Sequence, residues 1–150
     1  MIIVEDTRQQ SGKHEAKNAY FKSNGIKVVR SKLFVGDYTR LDNQTVAIDS
    51  KQSFLELSMD ICGKQHERFR EECKRAQECN ITLYILVEEI PPDGKVANWH
   101  SPRTKVKGEV LEKCMRTMKE RYGVQFVFCD KAHAGKVIID ILGKTDKKGV

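Results

Sequence analysis

The sequence has no apolar stretch long enough to cross a membrane, and it has no internal repeat or low-complexity linker. Its N-terminus starts directly with Ile2-Ile3-Val4 and lacks the basic segment, apolar core and cleavage site of a signal peptide. None of its five cysteines forms a CxxC pair, and their number is odd. We therefore expect neither a secreted disulfide scaffold nor a structural zinc site, but reduced thiols in a cytosolic or nuclear compartment.

The composition is that of an ordinary globular chain. Its 150 residues, 39% hydrophobic and 32% charged, suffice for one domain, predicted at residues 1–143 with a frayed tail at 144–150. The net charge of +6 is concentrated between Lys95 and Arg121, where eight basic residues accompany three acidic ones. A positive surface attracts polyanions, so nucleic acid is the leading partner, although a solvated helix face would give the same pattern.

Hydrophobic patterns predict strands that alternate with helices. Strands are predicted at residues 2–6, 26–30, 34–39, 45–49, 81–87 and 124–129, and helices at 13–24, 53–57, 65–79, 111–122 and 132–142. In the first helix the residues that recur at helical spacing are Ala16, Ala19, Tyr20 and Ser23. This alternation predicts an α/β fold with a central mixed β-sheet flanked by helices.

Acidic residues and one lysine surround a predicted hairpin. Asp49 and Lys51 share one face of a strand, because successive side chains point to opposite faces. If the loop centres on Asn43, Asp37 lies directly opposite Asp49, with Cβ atoms roughly 5 Å apart. A turn of even length would put Asp37 on the other face, so this geometry requires an odd loop or a bulge beside Gly36.

Opposed carboxylates are destabilising unless a cation lies between them. Together with Asp6 at the end of the first strand, Asp37 and Asp49 are ligands of the type that Mg²⁺ prefers when it bridges to phosphate. Lys51 would offset charge on an attacked phosphate as an ammonium, or take a proton from water as a neutral amine. The structural alternatives are a surface ion pair between Asp49 and Lys51, a turn at Asp37, and a cap or a pairing with Arg8 at Asp6.

Five short motifs resemble, in order, those of PD-(D/E)xK nucleases, and specifically those of the nuclease domain of XPF-type structure-specific endonucleases. They are Asp6-Thr7-Arg8-Gln9, Gly36-Asp37-Tyr38, Asp49-Ser50-Lys51, Gln65-His66-Glu67-Arg68-Phe69-Arg70 and Ile85-Leu86-Val87-Glu88. The resemblance implies a restriction-endonuclease-like fold. It also implies an enzyme, a Mg²⁺-dependent endonuclease that hydrolyses phosphodiester bonds of DNA, including branched DNA, in repair or recombination.

By this resemblance Asp6, Asp37 and Asp49 bind Mg²⁺, with Mn²⁺ as a substitute, and Lys51 acts in catalysis with Asp37 and Asp49. Weaker candidates for contacts with nucleic acid are Arg8, Arg68, Arg70, Trp99, Arg103, Lys105 and Lys107. A ring such as that of Trp99 stacks on a base or anchors its loop on the core, and both alternatives stay open.

The resemblance also implies partners and a location. The resembled family works in pairs, so a homodimer or a partner protein is expected beside DNA. The family's helix-hairpin-helix DNA-binding domain has no counterpart here, which indicates a minimal nuclease in the cytoplasm of a bacterium or a viral host, or in the nucleus.

Four positions depart from the family's motifs. Asp49 replaces a glutamate, Ser50 an arginine, Leu55 an aspartate and Gln9 a glutamate. Two alternatives to an active nuclease therefore remain. One is a catalytically silent nucleic-acid-binding module or nuclease subunit that needs a partner, and the other is an α/β interaction domain with no role on nucleic acid.

Overall fold

The computed structural model describes residues 1–9, 14–63 and 65–144. The strands in these ranges are β1 (Ile2–Glu5), β2 (Lys27–Arg30), β3 (Tyr38–Arg40), β4 (Val46–Lys51), β5 (Thr82–Val87) and β6 (Gln125–Phe128). The helices are α1 (Glu15–Ser23), α2 (Phe54–Cys62), α3 (His66–Glu78), α4 (Gly108–Tyr122) and α5 (Ala134–Gly143). Within the described ranges, none of these helices combines the length and the apolarity that crossing a membrane requires. Residues 145–150 of the predicted frayed tail lie outside these ranges.

The six strands form one sheet in the order β2-β1-β3-β4-β5-β6. β3 runs antiparallel to both of its neighbours, β1 and β4, whereas the pairs β1–β2, β4–β5 and β5–β6 are parallel. β5 is an interior strand of this sheet. Helices cover both of its faces, which is the environment that its continuous apolar run predicts. The predicted central mixed sheet is therefore confirmed.

Helices cover both faces of the sheet. On one face α2, α3 and α4 pack through Phe54, Leu57, Phe69 and Leu111 against Ala47 and the neighbouring strands. On the other face α1 and α5 pack through residues such as Phe21 and Ile138 against Tyr38 and Ile48. Because side chains alternate along β4, the even-numbered Ile48 faces α1 and α5, and the odd-numbered Asp49 and Lys51 face α2 and α3.

The third strand starts later than the sequence pattern predicts. β3 begins at Tyr38 instead of Phe34, because Gly36 has a φ of +78°, which lies outside the range of an extended strand. The remaining strands and helices overlap the predicted ranges.

The buried side of α1 is not formed by the residues that recur at helical spacing in the sequence. Ala16, Ala19 and Ser23 are exposed and Tyr20 is half-buried, whereas Lys17 and Phe21 face the core. Lys17 is tolerated there because its ammonium donates to the Glu88 carboxylate at 2.8 Å. A lysine that is paired in this way can be buried, although an unpaired one almost never is.

Candidate active site

The hairpin of β3 and β4 has the register that the sequence predicts. Tyr38 pairs with Ile48 and Thr39 with Ala47, so continuing this register places Asp37 across from Asp49. At Asp37 the ladder shifts: its N–H donates to the Ile48 carbonyl at 2.7 Å, next to the left-handed Gly36. A side chain at Gly36 would put its Cβ 2.9 Å from that carbonyl oxygen. The odd loop is thus present, and the ladder is also irregular beside Gly36, which brings Asp37 to the end of β4.

Carboxylates from the hairpin and from α3 converge at this point. The Asp37 carboxylate accepts a hydrogen bond from the Ser50 N–H at 2.8 Å. Burial and then the negative charge of Asp49 raise the pKa of Asp37 well above its ordinary value. Burial and then the charge of Asp49 also raise the pKa of Glu72 to about 9. The three acids therefore repel one another when all are ionised.

The ammonium of Lys51 lies among these acids. It is 3.4 Å from Asp49 Oδ1 and 2.6 Å from Asp60 Oδ2, and it lies 5.4 Å from the centre of the Phe69 ring. Burial by itself lowers the pKa of Lys51, but the charges of Asp49 and Asp60 outweigh it and raise the pKa above the ordinary value. Lys51 is therefore a cation in this arrangement, which favours the first of the two roles considered for it.

Asp6 lies at the edge of the same cluster but has partners of its own. Its Oδ1 accepts from the Leu33 N–H at 3.1 Å, and its Oδ2 accepts from Arg8 Nε at 2.6 Å. Arg8 also donates to the Leu33 carbonyl at 3.0 Å. Asp6 and Arg8 thus order the loop before β3. This is the pairing of Asp6 with Arg8 that was considered as a structural alternative. The metal-binding role of Asp6 stays a prediction.

These groups line an open cleft of about 420 Å³. Its walls are Asp6, Arg8, Gly36, Asp37, Asp49, Lys51, Asp60, Gln65, Arg68, Phe69, Glu72 and Arg75. The carboxylates and the one ammonium of the cleft come from the loop after β1, from the β3–β4 hairpin, from α2 and from α3. Arginines from α3 and from the loop after β1 stand around the cleft.

The donor set fits a hard divalent cation. Carboxylate oxygens are the ligands that Mg²⁺ prefers, and Glu72 Oε1 is buried without a hydrogen-bond partner in the described part of the chain. Among the residues that the structure describes, no group of three or more histidine, cysteine or carboxylate side chains is placed so that it could hold a metal ion. Mg²⁺ does not need such a group, because it commonly takes one or two protein carboxylates and completes its shell with waters and phosphate.

The weaker predicted contacts are spread over different places. Arg8 and Arg68 line the cleft. Arg70 points away from it, pairs with Glu67 at 2.9 Å and lines a separate pocket between α3 and α4. The exposed Arg103, Lys105 and Lys107 lie in the segment before α4 and do not line the cleft.

The stacking role considered for Trp99 is wrong. Trp99 is only 5% exposed, and its ring lies 6.3 Å from that of Phe54 in the core. The side chain has no free face for a base, so it anchors its loop, as the alternative interpretation had it.

Three residues of the cleft were missed by the sequence prediction: Asp60, Glu72 and Arg75. A signal for two of them exists, because Arg68, Glu72 and Arg75 recur at intervals of four and three residues along α3 and therefore share a face. Asp60 has a weaker signal, since it is an acid beside the buried stripe of Phe54, Leu57 and Ile61 in α2. Neither signal says that the two helices meet over β4.

Leu55 stands where the resembled family has an aspartate. The adjacent Glu56 does not line the cleft, so it does not supply the missing carboxylate. The Ser53 hydroxyl accepts from the Glu56 N–H at 3.1 Å, and the Glu56 carboxylate accepts from the Gln52 N–H at 2.9 Å. This is a capping arrangement at the start of α2, and it leaves Asp60, one turn further on, as the acid that reaches Lys51.

A mixed sheet in which an antiparallel hairpin brings two aspartates and a lysine to the floor of a cleft is the restriction-endonuclease-like class of α/β fold. The ERCC4 domain family matches residues 5–139 of the sequence, and the chain belongs to this family. The predicted family, an XPF-type nuclease domain, and the predicted fold class are thereby confirmed.

Solved structures share this fold. XPF from Aeropyrum pernix superposes with a TM-score of 0.73 at 20% sequence identity, covering 99% of this chain and 66% of that one. XPF from Aeropyrum pernix in complex with DNA gives a TM-score of 0.73 at 21% identity, with 98% of this chain and 66% of that chain covered. The chain thus spans 66% of the length of these XPF chains. No curated protein sequence matches it.

Proposed function

We propose that this protein is a divalent-metal-dependent endonuclease that hydrolyses phosphodiester bonds of DNA. The observation that carries the proposal is the convergence of Asp37, Asp49 and the Lys51 ammonium on the floor of one open cleft. An excess of carboxylates around one buried cation is costly for the folded state, and such costs are typical of sites that bind or react.

Each residue has a defined task in this proposal. Asp37 and Asp49 would hold the Mg²⁺ ion, and Glu72 is a third carboxylate close to both. Mg²⁺, when bound, supplies Lewis-acid stabilisation of the negative charge that develops on the phosphate. The Lys51 ammonium donates to a phosphate oxygen and neutralises part of that charge, while Asp60 holds its side chain in position.

DNA is the proposed substrate. The structural relative XPF from Aeropyrum pernix has been solved in complex with DNA, and this chain has a net charge of +6. Branched DNA, and pairing with a second copy or a partner protein, follow from family membership and belong to the same proposal. The proposed location is the cytoplasm or the nucleus, where thiols stay reduced, in line with five free cysteines.

The test measures cleavage of duplex, flap and four-way-junction DNA with Mg²⁺ or Mn²⁺. Asp49→Asn and Lys51→Ala should each lower the rate by about 10²–10³-fold, as the removal of one transition-state stabiliser does elsewhere. Asp140→Asn and Lys136→Ala are matched controls, because both residues are exposed on α5 across the sheet. Cleavage that survives both substitutions in the cleft contradicts the proposal.

A catalytically silent nucleic-acid-binding module is the second candidate. Ser50, which occupies the family's arginine position, contributes its N–H to Asp37 and no positive charge to the cleft. Calorimetry separates the two candidates without relying on activity. The nuclease binds Mn²⁺ and loses this binding in Asp49→Asn, whereas a silent module binds DNA and shows no heat with Mn²⁺.

A further inference from the structure

A second open cleft adjoins the acidic one and has a different chemistry. It has a volume of about 650 Å³, within the range of sites that hold small ligands. It shares Arg8, Arg68 and Arg75 with the acidic cleft and adds Lys32 and Phe34. We call these five residues the Phe34 surface. The two clefts adjoin each other at these three arginines, so one nucleic acid can contact the carboxylates and the Phe34 surface together.

The aromatic ring of this surface is exposed and held in place. Phe34 is 62% exposed although it belongs to the most apolar residue class. The N–H and carbonyl of the preceding Leu33 are bonded to Asp6 and Arg8, and the Phe34 carbonyl lies 3.4 Å from Arg75 Nε. The guanidinium carbon of Arg75 lies 5.7 Å from the centre of the ring. The ring therefore presents a face to solvent from an ordered backbone.

The charges around the ring are positive. Arg8, Lys32, Arg68 and Arg75 surround it, while the one acid of this cleft, Glu71, lies 3.6 Å from Lys74. Lys32 and Arg68 have no ion pair within the part of the chain that the structure describes. A ring with an open face among four cations, two of them without an ion pair in the described ranges, is the arrangement that binds a nucleobase by stacking and its phosphates by charge.

We propose that the Phe34 surface binds an unpaired nucleotide of the nucleic acid whose phosphate is cut in the acidic cleft. This inference rests on the proposed function and names its substrate more closely. Bases inside a duplex stack on one another and have no face to offer an exposed ring, so the surface selects DNA with an unpaired nucleotide beside the scissile phosphate. The arginines shared by the two clefts contact the phosphates that join that nucleotide to the cut position.

The test is equilibrium binding without divalent metal, so that no cleavage occurs. The probes are a short single-stranded oligonucleotide that carries the fluorescent base 2-aminopurine and a blunt duplex of the same sequence. Phe34→Ala should weaken binding of the single strand by about 5–150-fold and abolish the quenching that stacking causes, because one stacked base contributes about that much. Phe34→Trp should retain both, and duplex affinity should be unchanged in each variant.

The control is Ile90→Ala, since Ile90 is 61% exposed and lies outside both clefts. Equal affinities of Phe34→Ala and Ile90→Ala for the single strand overturn the inference, and so does a wild-type protein that binds only duplex or no oligonucleotide. Lys32→Ala should reduce the slope of log affinity against log salt concentration by about one. Failure of the proposed function shows instead as cleavage that survives Asp49→Asn, which this binding assay does not measure.

Discussion

Two buried lysines of this protein are paired with carboxylates, and their surroundings differ in charge balance. On the α1 side of the sheet, Lys17 and Glu88 form a pair of 2.8 Å with side chains 3% and 6% exposed. On the α3 side, Lys51 is bonded to Asp60 and approaches Asp49, with Asp37 and Glu72 close to the same place. The first lysine has one acid to balance, whereas the second faces several.

This difference separates a structural pair from the candidate active site. Lys17 and Glu88 are closed from solvent, and the nearby Glu5 has its own partner in Arg30 at 3.2 Å. The acids around Lys51 line an open cleft, and burial together with like charge raises the pKa of Asp37 and of Glu72. Excess negative charge in an open cleft is relieved by a cation from solution, while a closed and balanced pair has no need of one.

The largest effect on stability is expected at the closed pair. Lys17→Met leaves the Glu88 carboxylate buried and unpaired, which should lower the free energy of unfolding by about 3–5 kcal/mol. The double variant Lys17→Met/Glu88→Leu should recover most of this loss. The measurement is urea denaturation followed by circular dichroism.

The matched control for this prediction is Lys136→Met, because Lys136 is exposed on α5 and should tolerate the change. A Lys17→Met protein as stable as the control would show that the pair contributes nothing. A second result bears on the comparison: the folded Lys17→Met protein should keep far more nuclease activity than Lys51→Ala. Equal losses of activity would remove the distinction between the two lysines.

A smaller effect is expected at Gly36, whose conformation brings Asp37 into the unbalanced site. An alanine there has a left-handed φ, which costs about 1–2 kcal/mol, and its Cβ also meets the Ile48 carbonyl of β4. Gly25 is a matched control, because its φ is +69° and a Cβ there meets nothing within 4 Å. Thermal unfolding should show a larger loss for Gly36→Ala than for Gly25→Ala.

DNA cleavage by the same two variants provides a second test of the role of Gly36. Gly36→Ala should also lower cleavage, since a shift of the β4 carbonyl moves Asp37 relative to Asp49, whereas Gly25→Ala should cleave at the wild-type rate. Equal stability losses in the two variants would mean that the close approach at Gly36 is not needed for the fold. Unchanged cleavage in Gly36→Ala would mean that the placement of Asp37 does not matter to the chemistry.

The features that depend on local periodicity could be predicted from the sequence, whereas the contacts between elements distant in the chain could not. Alternation along β4 and the loop around Asn43 suffice to place Asp37, Asp49 and Lys51 on one face, and the structure has that register. The mixed sheet follows likewise from the order of apolar runs. These features depend on neighbours in the chain, which a single sequence displays.

Contacts between distant elements are the part that was missed. Glu72 and Asp60 reach the site because α2 and α3 pack together over β4, and no local pattern fixes that packing. The burial of Lys17 is similar, because it depends on Glu88, 71 positions away, and a lysine in a helical pattern otherwise indicates an exposed face. The burial of Trp99 also depends on a distant element, because its ring packs against Phe54 of α2.

The smallest effect is expected at Glu72, and it tests the charge imbalance directly. Its pKa is raised from 4.5 to about 9, so without divalent metal the folded state holds a proton that the unfolded state releases. Stability due to this group is therefore present below about pH 4.5 and is lost as the pH rises towards 9. Glu72→Gln should remove this dependence and stabilise the metal-free protein at pH 8.

The same variant distinguishes the open site from the closed pair when metal is added. Mg²⁺ should stabilise the wild-type protein more than Glu72→Gln, because the ion relieves repulsion that the substitution has already removed. Glu71→Gln is the matched control, since the neighbouring Glu71 is exposed and not buried among the acids. Thermal unfolding from pH 5 to pH 9, with and without Mg²⁺, measures both effects. Identical pH profiles for wild type and Glu72→Gln would place Glu72 outside the unbalanced cluster, and the site would then consist of the two hairpin aspartates alone.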